Sequence, residues 1–80
     1  MWIATQNKNR MLNSNQTIDI FIDKTGTKIY AEVACDRDFI VLGEYKNRDA
    51  CLKVMHQIFA HLGYMDSLGK TFVMPLGGEV

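Results

Sequence analysis

The sequence predicts an α+β domain: an antiparallel β-meander of three to five strands with one amphipathic α-helix packed on one face. Three observations predict it. Residues 17–23 and 28–35 each alternate apolar and polar side chains, the period of a half-buried strand, and a glycine-containing turn separates them. From residue 51 the period changes to that of a helix. No pattern repeats, and 80 residues suffice for one small domain but not for two.

The elements follow in order. Residues 2–6, Trp-Ile-Ala-Thr-Gln, read as a short strand. Residues 7–10 form a polar turn, and Met11-Leu12 pairs back as a second short strand. Residues 13–16 break the chain again, because Asn and Ser bond their own backbone. In the next strand Ile18, Ile20 and Ile22 share one face, and Asp19, Phe21 and Asp23 the other. Asp23-Lys24-Thr25-Gly26 is a tight turn in which Gly26 supplies a positive φ. Its partner strand directs Ile29, Ala31, Val33 and Cys35 inward and Lys28, Tyr30 and Glu32 outward. Asp36-Arg37-Asp38 turns the chain, and residues 39–44 form a third long strand. Its unbroken apolar run predicts a central position buried on both faces.

Cys51, Val54, Met55, Ile58, Phe59 and Leu62 then fall on one helical stripe, with Leu52 away from it. Asn47 or Asp49 is the expected N-cap, and Gly63 stands where a helix ends. Residues 63–70 read as a loop and residues 71–74 as a last short strand stopped by Pro75. The domain therefore spans residues 1–75, and residues 76–80 are expected to be a flexible tail.

A single helix covers a single face. Phe21 and Tyr30 then point away from it, joined by Trp2. Two outcomes stand: the rings mark a surface for self-association or a partner, or the meander curls into a partial barrel and buries them.

Nine Lys plus Arg balance nine Asp plus Glu. A chain of zero net charge has no long-range steering toward phosphate and little colloidal repulsion against its own copies. The bases are uneven: residues 1–18 hold Lys8 and Arg10 and no acid. The longest apolar run, residues 39–42, is far short of a membrane span. No basic and apolar leader opens the sequence. The expectation is a cytoplasmic protein with reduced thiols and no membrane contact. Cys35 and Cys51 allow at most one bridge. Domains this small lean on a disulfide, a metal or a partner subunit, so a homo-oligomer, a dimer or larger, is expected.

The candidate chemical motifs are weak. Gly69-Lys70-Thr71 resembles the end of a phosphate-binding loop, but five residues separate it from Gly63 where four are needed, and no helix follows. His56 and His61 stand five apart, about 140° around a helix, which splays two rings away from a common metal. Cys51 opens the helix, where a thiol pKa is lowered; the competing reading of both cysteines is a small hydrophobe in the core. Asp36 and Asp38 read as a solvated turn, and Asn15-Gln16-Thr17 is a glycosylation sequon of no consequence in the cytoplasm. The segment Gln6, Asn7, Lys8, Asn9, Arg10, Asn13, Asn15 and Gln16 is more informative. These are the side chains that bond phosphates and base edges, and Trp2 or Tyr30 nearby offers a stacking face.

The candidate binding residues are thus Trp2, Gln6, Lys8, Arg10, Asn13 and Tyr30, for a ligand or nucleic acid. Phe21 and Tyr30 are the candidates for self-association. No catalytic residue, metal or cofactor is expected.

The opening Trp2-Ile3-Ala4-Thr5-Gln6-Asn7-Lys8 with Asn13-Ser14, the strand end Leu42-Gly43-Glu44-Tyr45 and the helix with Ala50 resemble a set of short hypothetical proteins. These occur in gut-type Gram-positive bacteria and their prophages and mobile elements, and the similarity covers roughly residues 2–62. It carries no activity and no functional residue. It implies a small accessory protein, phage-borne, acting by binding a host component. The expected function is a non-catalytic, self-associating binding protein that engages a host protein or a small nucleotide. The alternative is a nucleic-acid-binding accessory protein using the N-terminal Lys, Arg, Asn and Gln residues.

Overall fold

A computed structural model describes residues 2–13, 15, 17–34, 38–62 and 71–80. The chain is α+β. Its elements are β1 (Trp2–Ala4), β2 (Met11–Asn13), β3 (Thr17–Ile22), β4 (Lys28–Val33), β5 (Ile40–Glu44), α1 (Arg48–Leu62) and β6 (Thr71–Val73), followed by a 3-10 turn over Gly77–Glu79. The strands form two three-stranded sheets, ordered β2-β1-β6 and β3-β4-β5. The larger sheet is the antiparallel meander that the alternation predicts. In the smaller one β6 runs parallel to β1, with Ile3 opposite both Leu12 and Phe72.

The β3–β4 turn follows from its sequence. Gly26 adopts φ 80°, and a Cβ there would stand 3.2 Å from the Cβ of Arg48, so the glycine also lets the turn abut the helix start. The Asp23 carboxylate gathers the turn. The Thr25 hydroxyl donates to it at 2.7 Å, and the amides of Gly26, Thr27 and Lys28 donate at 3.0, 3.2 and 3.1 Å. The Thr25 hydroxyl first, and those amides with it, hold the Asp23 carboxyl below its ordinary value.

Asn47 caps α1: its Oδ1 accepts from the Ala50 amide at 2.9 Å. The helix buries Ala50, Cys51, Val54 and Ile58 against Ile3, Ile29, Ala31, Ile40 and Leu42. Phe59, expected in this stripe, is 80% exposed. It lies about 100° around the helix from Ile58, beyond the arc the sheet covers. Cys51 is buried and free. Burial pushes its thiol pKa up, aided by the Asp23 charge and opposed by Arg48, so the lowering expected at a helix start is reversed.

The third long strand departs from expectation. β5 is at the edge of its sheet, not its centre. Ile40 and Leu42 point inward and are buried, whereas Phe39 and Val41 are exposed. With one helix over one face, nothing among the described residues lies above the other to bury the run twice. The register shifts by one residue between Ile29 and Tyr30, which leaves Leu42 as the extra residue of β5. A Cβ on Gly43 would meet the Tyr45 hydroxyl at 2.8 Å, so only glycine leaves room for the ring.

Tyr45 in turn anchors the C-terminus. Its hydroxyl donates to the Pro75 carbonyl at 2.8 Å. Residues 76–80, expected as a flexible tail, form the one-turn 3-10 helix: the Glu79 amide donates to the Leu76 carbonyl, and the Leu76 amide to the Glu79 carboxylate. Val80 packs against the core. Residues 35–37 and 63–70, with the expected Cys35 position and the Gly63–Gly69 loop, lie outside the described residues. No described helix is long and apolar enough to cross a membrane.

Burial of the ring, with the neighbouring Cys51 and Glu79 charges, pushes the Tyr45 pKa from 10 up to about 12. An unfolded tyrosine ionises near 10, so this contribution is intact below pH 10 and is lost as pH rises from 10 through 12. Urea unfolding of Tyr45→Phe should show a lower stability below pH 10 and a shallower fall between 10 and 12 than the parent chain. Parallel falls in the two proteins would show that Tyr45 does not carry the alkaline transition.

Candidate functional site

The loop between β1 and β2 is tied by its own side chains. The Thr5 hydroxyl donates to Asn7 Oδ1 at 2.8 Å, and the Asn9 amide donates to the same oxygen at 3.0 Å. The Thr5 amide donates to the Arg10 carbonyl at 2.9 Å, closing the hairpin. Lys8 takes the left-handed conformation, φ 62°, at the tip. This conformation costs a non-glycine residue about 1–2 kcal/mol, and the fixed ends of the loop hold it there.

The same loop meets β5. The Gln6 amide donates to the Leu42 carbonyl at 2.7 Å. The Gln6 side chain completes the pairing: the Glu44 amide donates to Oε1 at 2.9 Å, and Nε2 donates to the carbonyls of Glu44 and Pro75 at 3.0 and 3.2 Å. Gln6 thus serves the free side of β5 as a strand would, and its amide is spent within the fold.

Holding the loop against β5 creates a groove of about 410 Å³, lined by Thr5, Asn7, Asn9, Arg10, Asp38, Phe39, Ile40 and Val41. One wall continues into an aromatic cluster on the outer face of the larger sheet. Phe21 and Tyr30 pair directly across β3 and β4 and stack at 5.8 Å. Phe39 meets them edge-on at 5.2 and 6.3 Å, and Val41 pairs with Tyr30 across β4 and β5. Phe39 is 54% exposed. The rings neither reach the helix nor disappear into a barrel; they cover one another on an open face.

No family model, no curated protein and no solved structure matches the chain.

The structure sorts the sequence candidates. Arg10 lines the groove, and Tyr30 and Phe21 form the platform beside it. Lys8 stands exposed at the loop tip. Gln6 borders the groove but is a clamp. Trp2 and Asn13 are elsewhere: they pair with each other at the far end of the hairpin, roughly 10 Å along the strands from the loop. Trp2 shares the outer face of the smaller sheet with Ala4, Met11 and Val73, and the third ring of the cluster is Phe39 in its place. Asn13 holds the β2–β3 link, accepting from the Asn15 amide at 3.0 Å through its side chain and from the Thr17 hydroxyl at 3.3 Å through its carbonyl. Phe39 and Asp38 are the site residues the sequence reading missed. The signal for Phe39 was the alternation within residues 39–42, which puts Phe39 and Val41 on the Tyr30 side once β5 is an edge; nothing in the sequence singled out Asp38 as a groove residue.

The histidines stay apart. His56 lines a hollow of about 570 Å³ along α1 with Asp49, Leu52, Lys53 and Gln57. His61 meets Phe72 edge-on at 5.4 Å, with a buried Nε2 that has no partner among the described residues. Among the described residues no three His, Cys, Asp or Glu side chains stand together as a metal site.

Gln6→Ala removes three hydrogen bonds and exposes the β5 edge. A loss of about 1–3 kcal/mol is expected in urea unfolding, with faster exchange of the Glu44 amide. Unchanged stability and exchange would mean that Gln6 does not clamp the sheets.

Proposed function

We propose that the chain is a non-catalytic interaction module whose recognition surface is the Phe21–Tyr30–Phe39 cluster and the adjoining groove, and whose partner is another protein. One observation carries the reading: a half-exposed phenylalanine stands at the mouth of a groove beside two other rings and Val41. Aromatic residues and arginine are the groups that anchor protein interfaces, surrounded by a polar rim. The rim here is of mixed sign, with Asp19 and Glu32 facing each other across β3 and β4 and Arg10 and Asp38 in the groove. An apolar side chain of the partner would seat on Phe39, with its main chain along the amide-bearing wall of Asn7 and Asn9. In the setting that the resemblance implies, the partner is a host protein met in the cytoplasm.

A second reading, nucleotide or single-strand binding, draws on Arg10, Asn7 and Asn9 lining the same groove as Phe39. Zero net charge weighs against it.

A photo-crosslinking residue at position 39, used in lysate, should give a discrete protein adduct, and Phe39→Asp should weaken binding of that protein at least about 30-fold with the fold intact. Retained binding would overturn the reading. Binding lost instead on Lys8→Glu with Arg10→Glu, together with a steep fall of affinity with salt, would establish the nucleic-acid alternative.

A further inference from the structure

The main-chain pattern of β3 points to a second surface. The Asp23 amide donates to the Lys28 carbonyl, and the β3–β4 register is regular from Asp19–Glu32 to Ile22–Ile29. Antiparallel pairing alternates, so Asp19 and Phe21 bond to β4 while the N–H and C=O groups of Ile20 and Ile22 face outward. β3 ends its sheet, and among the described residues nothing pairs with that side. The side chains tell the same story. Ile29 and Ala31 on β4 are fully buried, whereas Ile20 and Ile22 beside them are only partly so. The core stops before it covers β3.

We infer that β3 pairs antiparallel with β3 of a second copy, giving a two-fold symmetric dimer with one six-stranded sheet. The edge fits itself. A two-fold axis at Ile20 sets the outward N–H and C=O of Ile20 against those of the second copy's Ile20, and brings Ile22 opposite position 18 of its β3, where the β3–β4 register shifts between Thr17 and Asp19. The half-covered isoleucines of the two copies then close over each other on the inner side. On the outer side Asp19 comes opposite the second copy's Phe21, so no carboxylate stands directly opposite another, and the two Asp19 side chains are diagonal neighbours. The two Phe21 rings take diagonal positions, within reach of aromatic side chains, so the two aromatic clusters become one surface.

The opposite edge explains why pairing stops at two. Gln6 occupies the free side of β5, and the edges of the smaller sheet are strands of three residues, too short to recruit another chain. A sheet with one long open edge closes as a dimer, whereas two would allow a fibre. One six-residue strand sits at the low end of interface sizes, so the dimer forms with rising concentration. Zero net charge offers no repulsion against it.

This inference rests on the strand edge and is independent of the partner proposed for the groove. Sedimentation equilibrium should show the mass rising from 9.1 kDa toward twice that value with concentration. Amide exchange by NMR should show the Ile20 and Ile22 N–H groups becoming protected over the same range, with the Phe21 N–H protected throughout. Ile20→Pro removes an outward donor only, which an edge strand tolerates, and should leave a folded monomer. A chain that stays monomeric to millimolar concentration overturns the inference. So does a dimer whose Ile20 and Ile22 amides still exchange as open groups. Should Ile20→Pro unfold, the exchange pattern of the unaltered chain decides alone. Phe39→Asp, which tests the groove, should leave the dimer unchanged.

Discussion

Gln6 is the residue on which the rest of the arrangement depends. A chain that leaves one sheet and runs beside another strands polar backbone groups unless something meets them. Gln6 meets those of β5 twice, with its own amide at Leu42 and with its side chain at both polar groups of Glu44. The loop that leaves the smaller sheet is thereby tied to the edge of the larger one. The groove is a consequence: the loop that supplies Asn7, Asn9 and Arg10 lies against the strand that supplies Phe39 and Val41.

The same contact reaches the C-terminus. The Pro75 carbonyl accepts from both Gln6 Nε2 and the Tyr45 hydroxyl. Tyr45 can stand there because Gly43 leaves the space beneath its ring. The Met74 amide donates to the Ala4 carbonyl, continuing the parallel pairing of β6 with β1. Strand β1, the end of β5 and residues 74–76 thus share one network, and the last turn of the chain is ordered by it.

The apolar residues exceed what one helix can cover. Fifteen helical residues close the inner faces of both sheets, and the outer faces keep Phe21, Tyr30, Phe39 and Val41 on one and Trp2, Met11 and Val73 on the other. On the first face the rings shield one another, which lowers but does not remove the exposed area. A neutral chain with such faces has little to oppose association. The groove beside Phe39 and the β3 edge, unpaired among the described residues, are the two outlets proposed for that tendency.

Features that depend on near neighbours were legible in the chain alone. Alternation separated Ile20 and Ile22 from Phe21 and Asp19, and Ile29 and Ala31 from Tyr30. Gly26 marked a turn that needs a positive φ, and Asn47 marked the helix start. Tertiary structure alone decided which strand is an edge, because a period says which side chains share a face and not what lies beyond it. It turned Phe39 outward, left Phe59 outside the covered arc of the helix and set β6 parallel to β1. It also made Gln6 a clamp, through bonds to residues 38 and 69 positions away, a separation at which no local pattern distinguishes a structural amide from one that awaits a ligand.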